Sequence, residues 1–222
     1  EIEAEFMSRL RAKYASNQRS VSRDGLHLTM LIYCITKTYW MNQATFAATD
    51  KEALYWAAGL GLEEVLLQDT DKSNRPESKP IDGIIVSPDY QTLTNNALLE
   101  FKTARIYLNK LGEPSTGWPD TWIEQMMGYA KAYGVNTYKL GVFFIGPAKL
   151  LGRRFQFTPQ ELDDFWSKML YRKQKLLEAI AAQLPPEPFA YARDWECKNC
   201  PALILCEVAK SQGQFMTFMT HL

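Results

Sequence analysis

PIDGIIVSPDYQTLTNNALLEFKTAR, residues 80–105, is the stretch from which the fold is read. Two apolar runs rich in Ile, Val, Leu and Phe are separated by Pro88, Asp89, Asn95 and Asn96, which predicts two neighbouring strands joined by a turn. These strands carry charges that a buried sheet does not want. Asp82 enters the first strand, while Glu100 and Lys102 sit two residues apart in the second, so both fall on one face and Phe101 turns to the other. Burying such groups unpaired costs roughly several kcal/mol each. The arrangement suits a divalent cation or an anionic substrate.

Upstream of this hairpin, LHLTMLIYCITKTYWMNQ (26–43) predicts an apolar helix with Cys34 in its middle, and Asp50 opens a second helix running to about residue 68. That second helix contains Gly59 and Gly61, each costing about 1 kcal/mol relative to Ala. Close approach of another element, a ligand, or a bend would each account for them. A charged linker, 69–80, leads into the hairpin. Downstream, the Gly- and Pro-rich stretch 107–119 predicts a loop over the charged face, and a helix follows from Asp120 to Tyr133 with Gly134 as its stop. KLGVFFIG (139–146) and RRFQFT (153–158) predict a third and a fourth strand. Thr158 then caps a long amphipathic helix that ends before Pro185 and Pro186. A first helix at the N-terminus and a short one after Pro201 complete the pattern, which contains no internal repeat.

With 222 residues, of which 46% are hydrophobic and 13% aromatic, the chain is expected to fold as a single domain, 1–222. Within it we expect an N-terminal helical part (1–68), a sheet core (80–157) and a C-terminal segment (158–222). The longest apolar stretch is too short to span a bilayer and the opening EIEAEF is acidic, so a soluble cytoplasmic protein is expected, with no membrane partner. Lys plus Arg equals Asp plus Glu at 25 each, so any nucleic-acid contact must come from local clusters. Of the four cysteines, Cys197, Cys200 and Cys206 form one C-x2-C-x5-C group and Cys34 stands far off in sequence. Four thiolates suit either zinc or an iron-sulfur cluster. The single distant Cys is the less usual layout for zinc.

Downstream of the hairpin, Gln125 and Tyr129 lie four apart on one face of the predicted helix. In order along the chain, Gly59 to Glu63, Asp82-Gly83, Glu100-Phe101-Lys102 and Gln125 to Tyr129 resemble the motifs of the RecB-like branch of the PD-(D/E)XK nuclease superfamily. Where many members of that family have a histidine, this chain has Glu63, and its neighbour Glu64 is an open alternative. Cys34 with Cys197, Cys200 and Cys206 resembles the family's iron-sulfur subset, the likeness being greatest to the CRISPR-associated RecB-like exonucleases and to phage and helicase-linked enzymes.

The resemblance implies an α/β fold with a restriction-endonuclease-like mixed central sheet flanked by helices, and a 4Fe-4S cluster joining the chain ends through the four cysteines. It also implies an active site. Glu63, Asp82 and Glu100 with the Phe101 carbonyl would hold Mg2+ or Mn2+, Lys102 would stabilise charge on the phosphate, and Gln125 and Tyr129 would position phosphate or water. The expected activity is metal-dependent exonucleolytic hydrolysis of DNA, on single strands or ends. Its setting would be CRISPR spacer acquisition or phage and host recombination, with an integrase complex or a helicase/recombination protein as partner. Arg105, Arg19, Arg23 and Tyr107 are the candidate DNA contacts. A non-catalytic DNA-end-binding or docking module on the same fold is the competing reading. A zinc-stapled protein without a nucleic-acid role is a third.

Overall fold

The structure is a computed structural model, and it describes residues 2–47, 49–67, 76–91, 98–105, 108–109, 112–187, 193–198 and 200–216. In chain order the elements are α1 (Ile2–Ser16), α2 (Val21–Asp24), α3 (Leu28–Ile32), α4 (Ile35–Gln43), α5 (Asp50–Leu67), β1 (Lys79–Ile81), β2 (Ile84–Val86), β3 (Tyr90–Gln91), β4 (Leu98–Ala104), α6 (Asp120–Tyr133), β5 (Thr137–Phe144), β6 (Lys149–Gln156), α7 (Pro159–Ala182), α8 (Asp194–Lys198) and α9 (Leu203–Ser211). The chain divides into two compact units, one formed by Glu1–Leu54 with Ser167–Leu222 and the other by Tyr55–Trp166. The class is mixed α/β, as expected. Among the described residues no helix is long and apolar enough to cross a membrane.

The Tyr55–Trp166 unit is built on a sheet of order β3-β4-β5-β6, in which β4 and β5 run parallel and the outer pairs antiparallel. A parallel neighbour requires a crossover, and α6 supplies it. Alternation puts Tyr138, Leu140, Val142 and Phe144 of β5 in the core. α6 ends where Gly134 adopts φ 67, ψ 30, and the following N–H groups return to the carbonyls of Ala130 and Lys131. Thr158 and Glu161 form a reciprocal capping box at the start of α7, and Thr49 with Glu52 does the same for α5.

The hairpin differs from the expected pairing. The first apolar run does not pair with the run containing Glu100; it folds on itself as β1 and β2, with Asp82 and Gly83 at the turn. Both have positive φ, 49° and 70°, the conformation an Asp-Gly pair favours in a two-residue hairpin loop. The antiparallel partner of β4 is instead the short β3, Tyr90 facing Leu99 and Gln91 facing Leu98. Of the two glycines of α5, Gly59 is explained by close approach, since a Cβ there would stand 3.3 Å from Thr103 Oγ1 on β4. A Cβ on Gly61 meets nothing within 4 Å.

In the other unit, the expected helix over 26–43 is interrupted. α3 stops at Ile32 and α4 begins at Ile35, so Cys34 is the N-cap residue of α4 with extended backbone (φ −58, ψ 114). Partners remote in sequence hold the break open. Arg193 donates to the Ile32 carbonyl at 3.0 Å and Arg172 to that of Tyr33 at 2.6 Å, satisfying acceptors the interrupted helix leaves orphaned. The Cys34 N–H donates to Glu196 Oε2 at 2.7 Å, and the other oxygen of that buried carboxylate takes Arg193 at 3.2 Å.

Candidate active site and cysteine cavity

β4 carries Glu100 into the core and leaves it fully buried. Its Oε1 accepts from the Lys102 ammonium and from Gln125 Nε2, the latter at 2.7 Å. Gln125 Nε2 also donates to the Tyr129 hydroxyl at 2.8 Å, so Tyr129, one turn further along α6, steadies the amide that holds this carboxylate oxygen. Glu100 Oε2 has no hydrogen-bond partner, nor has the hydroxyl of the fully buried Tyr138, which pairs with Leu98 in the β4–β5 register. Burial, opposed by Lys102 and reinforced by a neighbouring carboxylate, raises the Glu100 pKa to about 8.

That neighbour is Asp89. Its Oδ2 accepts the Phe101 N–H at 3.0 Å, which ties the Ser87–Asp89 segment to β4 and sets the two carboxylates side by side. Sequence reasoning read Pro88-Asp89 only as turn formers. The signal that finds Asp89 is the same dipeptide, because Pro-Asp followed by Glu-x-Lys is an acidic pair with a lysine already in reach. Asp82, expected beside Glu100, is exposed at the β1–β2 turn and accepts from Trp166 Nε1 at 2.8 Å. Glu63 stands one helical turn beyond Gly59 and is half-buried, whereas the side chains of Glu64 and Arg23 and all of Tyr107 lie outside the described residues. Arg105 stacks on Tyr55, 3.4 Å from the ring centroid, and Arg19 reaches His27 Nδ1 at 3.1 Å.

In the unit that contains both chain ends, all four cysteines line one cavity of about 470 Å3, together with Tyr33, Lys37, Trp195 and Glu196. Cys34 is buried and the other three are half-buried, all as free thiols. Burial pushes the Cys206 thiol up to about 11, and each of the other three sulfurs adds repulsion against its ionisation. Burial raises Cys200 as well. The buried Trp40 indole N–H lacks a partner in full hydrogen-bonding geometry, yet it lies near enough to Cys206 to favour its thiolate. Among the described residues no three His, Cys, Asp or Glu side chains are gathered about one point so as to hold a single metal ion.

No protein-family model matches the chain, and no curated protein matches it. Among solved structures it is similar to the protein SSO0001, at 15% identity over 93% of this chain and 96% of that one, with a TM-score of 0.58. It is also similar to the alkaline exonuclease LHK-Exo of Laribacter hongkongensis, at 12% identity, 71% and 90% coverage and a TM-score of 0.48. A phage-related exonuclease of Haemophilus somnus 129PT aligns at 9% identity, 71% and 95% coverage and a TM-score of 0.49. The first likeness speaks to the fold alone, and the two exonuclease matches are too loose to carry weight.

Proposed function

We propose that the chain is a divalent-metal-dependent nuclease that hydrolyses phosphodiester bonds in DNA, working as an exonuclease on single strands or ends. The observation that carries this reading is the buried Glu100, with one oxygen saturated by Lys102 and Gln125, the other without a donor, and Asp89 alongside. A pair of carboxylates suits Mg2+ or Mn2+, which keep several waters and bind through one or two carboxylates plus substrate phosphate oxygens. When bound, the ion supplies Lewis-acid polarisation of the phosphate and acidifies the attacking water. Glu100 and Asp89 would hold it, joined by the Phe101 carbonyl. Lys102, salt-bridged to Glu100 and partly open to solvent, stabilises charge growing on the phosphoryl oxygens. Gln125 and Tyr129 keep Glu100 in one orientation. Asp82 accepts from Trp166 Nε1, and a metal-ligand role for Asp82 or Glu63 rests on the family resemblance.

The four cysteines are proposed to bind a 4Fe-4S cluster of structural role. In such a cluster each thiolate ligates its own iron, so the sulfurs surround a volume without converging on a point. A cavity lined by four thiols supplies the donor set of such a cluster, as it would that of zinc, and the choice of iron-sulfur rests on the family resemblance. The CRISPR or recombination setting, and an integrase or helicase partner, rest on the family resemblance alone.

Protein purified without oxygen is expected to be brown, to contain iron and sulfide, and to degrade end-labelled single-stranded DNA with Mn2+ or Mg2+. Glu100→Gln should abolish cleavage and keep the colour. Undiminished cleavage by that variant would remove the assignment of the active site, and zinc in place of iron would remove that of the cluster.

A further inference from the structure

The Tyr55–Trp166 unit has a second concave region, on the sheet face opposite Glu100. Alternation along β4, β5 and β6 puts Leu99, Phe101, Lys139, Gly141, Gly152 and Arg154 on that face. α5 covers one end of it, where Gly59 meets Thr103. At the other end lies a shallow cavity of about 500 Å3 lined by those six residues and by Leu150, which is 57% exposed. A larger cavity of about 730 Å3 adjoins it, and Lys139 and Arg154 line both.

Two cross-strand pairs give this region its character. Gly141 faces Gly152 in the β5–β6 register, so the floor is bare backbone where two side chains would otherwise meet. A Cβ on Gly141 would touch Phe101 Cδ2 at 3.6 Å, while one on Gly152 would meet nothing within 4 Å. The result is a flat apolar slot. Two residues along each strand, Lys139 faces Arg154. Like charges directly opposite on one face destabilise a strand pair. Lys131 is paired with Asp163 and Arg153 with Glu113, but neither Lys139 nor Arg154 has an acidic partner among the described residues. A hairpin that keeps two unneutralised cations face to face beside a slot is built for an anion with a flat apolar body.

We propose that this face binds a nucleotide unit, its phosphate between Lys139 and Arg154 and its base in the slot over Gly141 and Gly152, against Leu99 and Leu150. A free anion would not need the slot, and an apolar ligand would not need the cations. Both cavity volumes fall in the range of about 300–1,000 Å3 usual for small-ligand clefts. The ligand is either a free mononucleotide or one residue of a strand. The site stands apart from Glu100 and does not depend on catalysis there.

Binding is therefore measured on the full chain in EDTA, where no metal-dependent cleavage interferes. Calorimetric titrations with deoxyadenosine 5′-monophosphate, deoxyadenosine and inorganic phosphate separate the two halves of the ligand. The nucleotide is expected to bind at least about tenfold more tightly than either half, since it alone engages both the cations and the apolar slot. Gly152→Val places a strand-favouring side chain into open space, so it should fold with an unchanged thermal midpoint and bind the nucleotide about tenfold more weakly. The double variant Lys139→Gln, Arg154→Gln should lose comparable affinity and most of the salt dependence. A tetranucleotide that competes with the mononucleotide would identify the natural ligand as a strand; failure to compete would identify it as the free nucleotide. Inorganic phosphate binding as tightly as the nucleotide, or a folded Gly152→Val protein with undiminished affinity, would overturn the proposal.

Discussion

Glu100 and Cys206 are both ligand-type side chains whose protonated forms are favoured by burial, yet their surroundings differ in kind. Around Glu100 the protein itself completes the geometry, with Lys102 and Gln125 on one oxygen, Tyr129 behind Gln125, and Asp89 fixed by the Phe101 N–H. Around the cysteines the bonds from Arg172, Arg193 and Glu196 go to backbone at the margin of the cavity, which the four thiols line. The first arrangement is organised without a cation, so an ion bound there, as proposed, would act on chemistry. The second gathers four mutually repelling sulfurs, so a cluster that ligates them would contribute to folding.

The largest expected effect therefore falls on rate alone. Lys102→Ala should lower cleavage by about 10²–10³-fold or more, the scale for removing a charge-stabilising group from a transition state, while leaving iron content and thermal midpoint as they were. Cys34→Ala should do the reverse in kind, releasing iron and destabilising its unit by about 4 kcal/mol or more, in the range that follows loss of a structural metal site. Iron analysis and urea unfolding of the two variants side by side would check the contrast. A soluble, fully active, iron-free Cys34→Ala protein would break it.

A smaller effect separates the same regions by pH. The folded-state pKa of Glu100, about 8, lies above its ordinary 4.5, so the native state holds a proton that the unfolded chain has lost. Its contribution is fully present below about pH 4.5 and is lost as pH rises through about 8. Metal-free protein should unfold at progressively lower urea as pH climbs through that window, and Glu100→Gln should flatten the slope. Metal binding must expel that proton, so calorimetric affinity for Mg2+ should tighten across the same interval. No slope in wild-type protein would mean that Glu100 is ionised and better solvated than its burial indicates.

Much of this was legible from residue spacing, for reasons that also mark where spacing stops. α6 and α7 follow from apolar periodicity, a glycine stop and a Thr-x-x-Glu cap, and the i, i+4 spacing of Gln125 and Tyr129 placed both beside Glu100. The Asp82-Gly83 turn is written in the sequence as well, but an aspartate at the edge of an Ile-Val run reads equally as part of the strand, so residue pattern alone does not separate the β1–β2 hairpin or distinguish Asp89 from a turn former. The break at Cys34 had no local sign. Nothing in LIYCIT stops a helix; what stops it is Arg172, Arg193 and Glu196, more than a hundred residues away, competing for its carbonyls and an N–H. The opposed glycines at 141 and 152 likewise become a slot only when register pairs them.

The finest test sets two tyrosines of the carboxylate site against each other, their ring centroids 6.2 Å apart. The Tyr129 hydroxyl accepts from Gln125, so Tyr129→Phe takes a partner from a buried amide and should lower metal-free stability by about 1 kcal/mol. The Tyr138 hydroxyl is buried with no partner, so Tyr138→Phe keeps the ring and removes an unsatisfied group, and should raise metal-free stability by about the same amount. Opposite signs in urea midpoints would locate the uncompensated polarity of the site at Glu100 Oε2 and Tyr138, on the side where α6 provides no donor. Equal losses in both variants would instead show that the Tyr138 hydroxyl is satisfied in solution, as by a buried water, and that the site is as complete on that side as it is at Gln125.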